Sequence, residues 1–594
     1  MTQDSQIRRY KGMSRRMTWL LVGALLVLLW LQLFALSRRT SMSWDEGHHL
    51  FDGYTVLKHA DFDLNPEVPP IAKIVAALSL LPLQLVEPVQ QGRPSQLEAF
   101  LDGKDFLFHN DADRLLLRGR LTVALFTVLL ALIVFVMAEA MFDTLTGLLA
   151  LAFFVFDPNL LAHGALVTTD AAITCFVLAS VFSWWRYTRE PSAGRLLLAG
   201  LLVGLGFATK FTGLFLIPTI ALLVLWEAAV NRSVALLRRR ALALGVTLTV
   251  AYLVLWTSYG FRYAARPDHR QLNPTLDVYL GDYARVANPR PLALLARTHL
   301  LPEAYLWGLA NTKLTEDRNV SYLFGTIRRH GTPLYFPAAF LIKSTLPLLL
   351  LVTIAAWVFF RFPVLRQRWI VAMVPVGVFF ALAMRSSMNI GVRHLLPIYP
   401  FLYIIAASTL TTLIDRDRRW IISAAVLICF QAFTSLRCFP ADIAYANEAW
   451  GGPNNVHRFL SDSNSDWGQQ LKTVAGYLRD HHVDSCWLAY TASGVVDDRY
   501  YGVSCRPLPT TVNLWWIPIT MSVSDEINGT VLISDDELEG TDLPFGAPNP
   551  YAAFRTIKPV AILDGGLFVY QGRFDMSQAS RSVAEARRIV PAKY

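Results

Sequence analysis

Runs of about 20 apolar residues, parted by short arginine-bearing turns, are what most constrain this chain. A run of that length matches the hydrocarbon core of a bilayer, and only a helix can carry its backbone across without leaving amides unpaired. With 54% hydrophobic and only 17% charged residues over 594 positions, the apolar excess is concentrated in these blocks. That pattern excludes a purely soluble multidomain enzyme and a disordered tail protein. No collagen or coiled-coil repeat is present either.

Eleven spans are expected, at 17–37, 121–139, 145–157, 171–187, 195–209, 211–230, 241–261, 336–360, 369–384, 395–414 and 419–437. The third and fifth are short. The first is too long for the apolar part of a signal peptide, and Phe34-Ala35-Leu36-Ser37 is a poor cleavage site. The N-terminal Arg8, Arg9, Lys11, Arg15 and Arg16 fall on one side of the membrane. The clusters at 186–195, 232–240, 361–368 and 416–419 fall on the same side. By the positive-inside rule that side is the cytoplasm, so the protein is expected in the inner (cytoplasmic) membrane with a cytoplasmic N-terminus. Residues 1–437 then form a membrane domain with two large outward loops, 38–120 and 262–335. Residues 438–594 form an α/β domain, periplasmic or extracellular. Within the first loop, Ile71 to Val86 reads as a helix lying on the membrane surface.

The formal charge of +9 follows the topology signal, not a nucleic-acid-binding face, so no nucleic-acid partner is expected. The five cysteines show no CxxC spacing, which removes support for a zinc or redox motif. Cys486 and Cys505 lie in the outward C-terminal part, where an oxidising compartment permits a disulfide.

Chemistry is expected on the outer side, where the polar mass lies. The first loop opens Ser43-Trp44-Asp45-Glu46-Gly47-His48-His49. Ser43 and Glu46 fit a capping box, while a carboxylate at a membrane surface also suits a general base. Asn65-Pro66-Glu67-Val68-Pro69-Pro70 fixes an extended turn around Glu67. Asp170 stands at the start of the fourth span, as a helix cap or a site residue. Lys210 lies between spans, either snorkelling or facing an anion such as a lipid phosphate. Arg393, with His394, sits in an outward turn where positive-inside bias disfavours arginine, so an anionic partner is implied.

Together these motifs resemble bacterial family 39 glycosyltransferases, relatives of protein O-mannosyltransferases and lipid A aminoarabinose transferases. The resemblance covers about residues 15–437. It is carried by Trp44-Asp45-Glu46, Glu67-Val68-Pro69-Pro70, Thr168-Thr169-Asp170, Ala208-Thr209-Lys210 and Gly391-Val392-Arg393-His394-Leu395-Leu396-Pro397. Asp462-Ser463-Asn464-Ser465-Asp466-Trp467-Gly468-Gln469 also resembles a segment that follows the last span in bacterial members. The resemblance implies a GT-C membrane fold. It also implies an inverting enzyme that moves a hexosyl or pentosyl unit from a polyprenyl-phosphate sugar donor to an acceptor on the outer side. It makes Asp45 the base and Glu46 a second catalytic acid, puts Arg393, His394 and Lys210 at the donor phosphate, and gives Glu67 and Asp170 supporting places. Glu67 matches an acid that lies at a metal site in the aminoarabinose transferases, so a divalent metal is left open as cofactor. Val68 departs from the family, which commonly has histidine or lysine before the two prolines. The acceptor is left open among protein, lipid and glycan, and membrane lipids surround the spans. A transporter or flippase of lipid-linked sugars is the competing reading. It would need neither the long first loop nor a large C-terminal domain.

Overall fold

The computed structural model describes residues 13–516, 522–541, 543 and 547–589. Among these, seven helices are long and apolar enough to cross a membrane: Arg15–Arg39, Ala112–Met141, Phe211–Asn231, Val234–Ser258, Leu365–Arg385, Val392–Arg416 and Trp420–Cys438. Two bent pairs raise the number to nine. Thr144–Val155 and Pro158–Gly164 meet at 66°, and Tyr335–Lys343 and Leu346–Arg361 at 117°. The protein is an integral membrane protein of helical architecture.

The expected span at 336–360 is therefore two helices. Ser344 and Thr345 leave the helical path, and Pro347 starts the second helix, where its missing N–H costs nothing. The expected spans at 171–187 and 195–209 appear as helices Asp170–Arg189 and Ala193–Phe207. The latter rises about 22 Å at 1.5 Å per residue, short of a hydrocarbon core of about 30 Å. Side-chain caps fix several helix starts. Asp111 accepts from the Arg114 amide, Asp143 from Thr146 and Asp157 from Leu160. Val392–Arg416 runs through the middle of the bundle, 94% of its apolar window buried, whereas Arg15–Arg39 turns Leu20, Leu21, Val27 and Leu31 outward.

The first outward segment folds as Glu46–His59, Ile71–Ala77 and Ser95–Phe108. Only the first part of Ile71 to Val86 is helical, ending at Leu80 after one 3₁₀ turn; Leu78, Leu81 and Val86 remain exposed. The second holds helix Glu303–Arg318 and a hairpin, β1 (Val320–Leu323) and β2 (Thr326–Arg329).

The C-terminal part carries a five-stranded mixed sheet. Its strands are β3 (Cys486–Ala489), β4 (Arg506–Pro507), β5 (Glu526–Ser534), β6 (Ala561–Leu563) and β7 (Leu567–Asp575), in the order β4-β3-β5-β7-β6. The β3–β4 and β3–β5 pairs are parallel and the others antiparallel. Cys486 and Cys505 form a disulfide beside β3 and β4. The helix expected from Asp466 begins only at Leu471. Residues 467–469 stay outside the helix, their carbonyls pairing with the stretch that enters Glu46–His59: Trp44 N–H donates to Trp467 O at 2.9 Å and Ser41 N–H to Gln469 O at 3.0 Å.

Candidate active site

Asp45 ends the short connection from Arg15–Arg39 and stands immediately before Glu46–His59. Its carboxylate accepts from Arg393 Nη1 at 3.2 Å. Arg393 also lies 3.9 Å from Asp170, and Asp170 accepts from Lys210 Nζ at 2.5 Å. The Arg393 guanidinium stacks over the Trp467 ring, 4.2 Å from its centroid. Residues 348 positions apart in sequence thus form one ion pair. Asp170 opens helix Asp170–Arg189, where a carboxylate also suits the positive end of the helix dipole. The preceding Thr169 makes no side-chain cap bond, so capping does not explain Asp170.

The Asp45–Arg393 pair faces a cavity of about 850 Å³ between the membrane helices and the C-terminal part, lined among others by Trp44, Gln96, Arg318 and Asp466. Thr491, Thr511 and Asp536 complete it from the C-terminal side. Glu67 sits beside this cavity, its carboxylate accepting from Gln96 Nε2 at 3.3 Å. Burial, reinforced by the Asp45 charge, pushes the Glu67 carboxyl up to about 7. Its turn is stapled by Lys73, 2% exposed, which donates to Asn65 O at 2.7 Å and Val68 O at 2.9 Å and pairs with Asp52 at 2.5 Å.

Two expected site residues are held in ion pairs of their own. Glu46 does not face the cavity. It is fully buried and takes both Nε and Nη2 of Arg120, at 2.7 and 2.5 Å, with the Ser43 amide at 2.9 Å and the Val167 amide at 2.9 Å. Burial pushes its carboxyl up, but Arg120 and these amides outweigh that and hold it below the usual range. With its oxygens so engaged it braces the Asp45 segment and has no free lone pair directed at a reacting group. The expected capping box is not formed: the cap position is Asp45, and only the Glu46 carboxylate reaches back to the Ser43 amide. Lys210, in turn, pairs with the Asp170 carboxylate, which lies 3.9 Å from Arg393.

His394 lies in the same electrostatic neighbourhood as Lys210, Arg393 and Asp170, with a buried Nε2 that has no hydrogen-bond partner. Among the described residues no group of three or more His, Cys, Asp or Glu side chains is arranged to hold a metal ion, so Glu67 has no ligand set around it. His49 Nδ1 contacts Val167 O at 3.0 Å, and the His48 ring packs on Phe100 with centroids 4.4 Å apart.

Sequence reasoning missed Arg120, Lys73 and Trp467. Arg120 carries the signal that exposed Arg393, an arginine at the outward end of an apolar run. Lys73 hides in a semi-apolar stretch. Trp467 lies in a motif whose partners are scattered along the chain, from Ser41 and Trp44 to Arg393.

Residues 112–257 match the sequence profile of the dolichyl-phosphate-mannose-protein mannosyltransferase family. The matched stretch includes Arg120, Asp170 and Lys210 but stops short of Arg393, and it agrees with the resemblance drawn from the motifs. No curated protein matches the chain. Among solved structures, the chain is similar to ArnT from Cupriavidus metallidurans bound to undecaprenyl phosphate. The identity is 13%, covering 93% of this chain and 97% of that one, with a TM-score of 0.47. It is also similar to the apo oligosaccharyltransferase of Archaeoglobus fulgidus, at 13% identity over 82% of this chain and 64% of that one, TM-score 0.43. The Saccharomyces cerevisiae protein O-mannosyltransferase Pmt1-Pmt2 complex bound to its sugar donor matches at 18% identity over 42% of this chain, TM-score 0.32; the chain spans 34% of that yeast chain.

Proposed function

We propose that this protein is a GT-C membrane glycosyltransferase that transfers a sugar from a polyprenyl-phosphate donor to an acceptor on the outer side, with inversion. The observation that carries the reading is the Asp45–Arg393 pair at the mouth of one cavity: a carboxylate able to take a proton beside a guanidinium able to hold a phosphate. The family match over residues 112–257 supports it.

In the proposed step the acceptor hydroxyl oxygen attacks the anomeric carbon. The bond from that carbon to the phosphate oxygen breaks, and its electron pair stays on the phosphate. The hydroxyl proton goes to Asp45. The leaving polyprenyl phosphate gains one negative charge. Arg393 stabilises it through N–H bonds, and Asp170 and Lys210 fix where Arg393 sits. Before the donor binds, Asp45 serves as the counter-ion of Arg393; a phosphate arriving at the guanidinium releases Asp45 to act as base. Positioned proton transfer contributes about 10²–10⁴-fold in rate, so Asp45→Asn should lose transfer by that order.

The test is transfer from a panel of radiolabelled polyprenyl-phosphate sugars to membrane extract in liposomes, comparing wild type with Asp45→Asn. Transfer by wild type alone supports the reading and names the sugar. Equal transfer by both removes Asp45 as base. No transfer from any donor, by protein that still binds polyprenyl phosphate, overturns the enzyme reading in favour of a transporter of lipid-linked sugars.

A further inference from the structure

The segment Asp462–Gln469 has no part in the step above, yet it passes behind the Asp45–Arg393 pair and grips both members. On the arginine side, Ser463 Oγ donates to Ile390 O at 2.5 Å, and Asn464 Oδ1 accepts from the Val392 amide at 3.0 Å. The Asn464 amide nitrogen donates to the Tyr335 hydroxyl at 2.8 Å, tying the same point to the bent pair. On the aspartate side, the Trp467 and Gln469 carbonyls hold Trp44 and Ser41, and Ser41 Oγ accepts from the Leu471 amide at 3.1 Å.

Between the two grips lies the Trp467 ring, 5% exposed, with the Arg393 guanidinium over its face and the His163 ring 5.7 Å away. Its own position is set locally. The Trp467 amide donates to Gln469 Oε1 at 2.7 Å, and the chain turns at Gly468 with φ +78°. A Cβ there would meet the Ala492 Cβ at 2.7 Å, so the turn admits only glycine without a shift.

An indole face attracts a guanidinium and fixes its plane, while leaving the N–H edge free for hydrogen bonds. Without that face, Arg393 is free to close on Asp170, now 3.9 Å away, and form a tighter pair with a carboxylate that is 1% exposed. We propose that Trp467 is a positioning residue that presents the Arg393 guanidinium edge to the donor phosphate. The C-terminal part thereby completes the donor site. This rests on the reading of Arg393 as the phosphate ligand.

The experiment measures polyprenyl phosphate binding to the full chain in detergent by calorimetry, for wild type, Trp467→Phe and Trp467→Leu. Transfer kinetics on the same proteins follow. Leucine removes the π-face; phenylalanine keeps one. The expected result is binding within about threefold of wild type for phenylalanine and at least about tenfold weaker for leucine. The donor KM should rise in parallel, and the acceptor KM should hold within about twofold. Asn464→Ala, which frees the Val392 amide, should show the same donor-selective loss, and it carries the test if the leucine variant does not fold. Equal binding by the leucine and phenylalanine variants, or equal loss in both KM values, overturns the inference. Absence of polyprenyl phosphate binding by wild type would instead strike the functional reading beneath it.

Discussion

The side chains of this site are set by what surrounds them, and Glu67 shows how far. It is a half-buried carboxylate in a proline-fixed turn, beside Asp45. Folded, it keeps its proton up to about pH 7, whereas the unfolded chain releases it near its ordinary value of 4.5. Between those values the folded state binds more protons, so this group's contribution to stability is present below about pH 4.5 and lost as pH rises through about 7. Thermal unfolding of the detergent-solubilised protein from pH 5 to 8 should show that decline, and Glu67→Gln should lack its share of it. An unchanged pH slope in the variant would refute the assignment. Asp45, Glu67, Asp170, Lys210 and Arg393 could all be picked out in the sequence, because polar groups among apolar runs are conspicuous. Their partners could not. Lys210 meeting Asp170, and Glu46 meeting Arg120, depend on helix packing that no local spacing encodes.

At the scale of elements, short connections hold the site and long helices hold the connections. The Glu46–Arg120 pair joins the start of Glu46–His59 to Ala112–Met141, and the Arg120 guanidinium also donates to carbonyls at and just past the end of Arg15–Arg39: Nη1 to Ser37 O at 2.8 Å and Thr40 O at 3.1 Å, Nη2 to Ser41 O at 2.6 Å. Removing one partner strands the other charge in the interior, which costs about 3–5 kcal/mol. Arg120→Met should therefore destabilise the protein by that amount in chemical unfolding, and adding Glu46→Leu should recover a large part of the loss. A single variant as stable as wild type would show that the pair is dispensable. Element existence was largely readable, since apolar period and arginine clusters mark helices and their ends. The breaks were less so. The 117° bend falls at Lys343-Ser344-Thr345, just before Pro347, inside a stretch expected as one span. Tertiary contacts add to that local break: the buried Lys343 ammonium donates to Ile443 O and Asn464 O, both at 2.6 Å.

At the scale of the whole molecule, the membrane part and the C-terminal part share the cavity, and we propose from the arginine clusters that it opens on the outer side. A C-terminal alkaline phosphatase fusion should be active and a C-terminal green fluorescent protein fusion dark; the reverse pattern would invert the topology. The Cys486–Cys505 disulfide fits the same side. Because residues 462–469 hold the backbone beside both halves of the ion pair, the cluster is completed late in synthesis. Asp45, Asp170, Lys210 and Arg393 are all synthesised, and able to enter the bilayer, before Trp467 leaves the exit tunnel. A half-made chain therefore holds the charges without the ring that aims them. If Arg393 is the phosphate ligand proposed above, such a chain should hold polyprenyl phosphate more weakly than the finished protein.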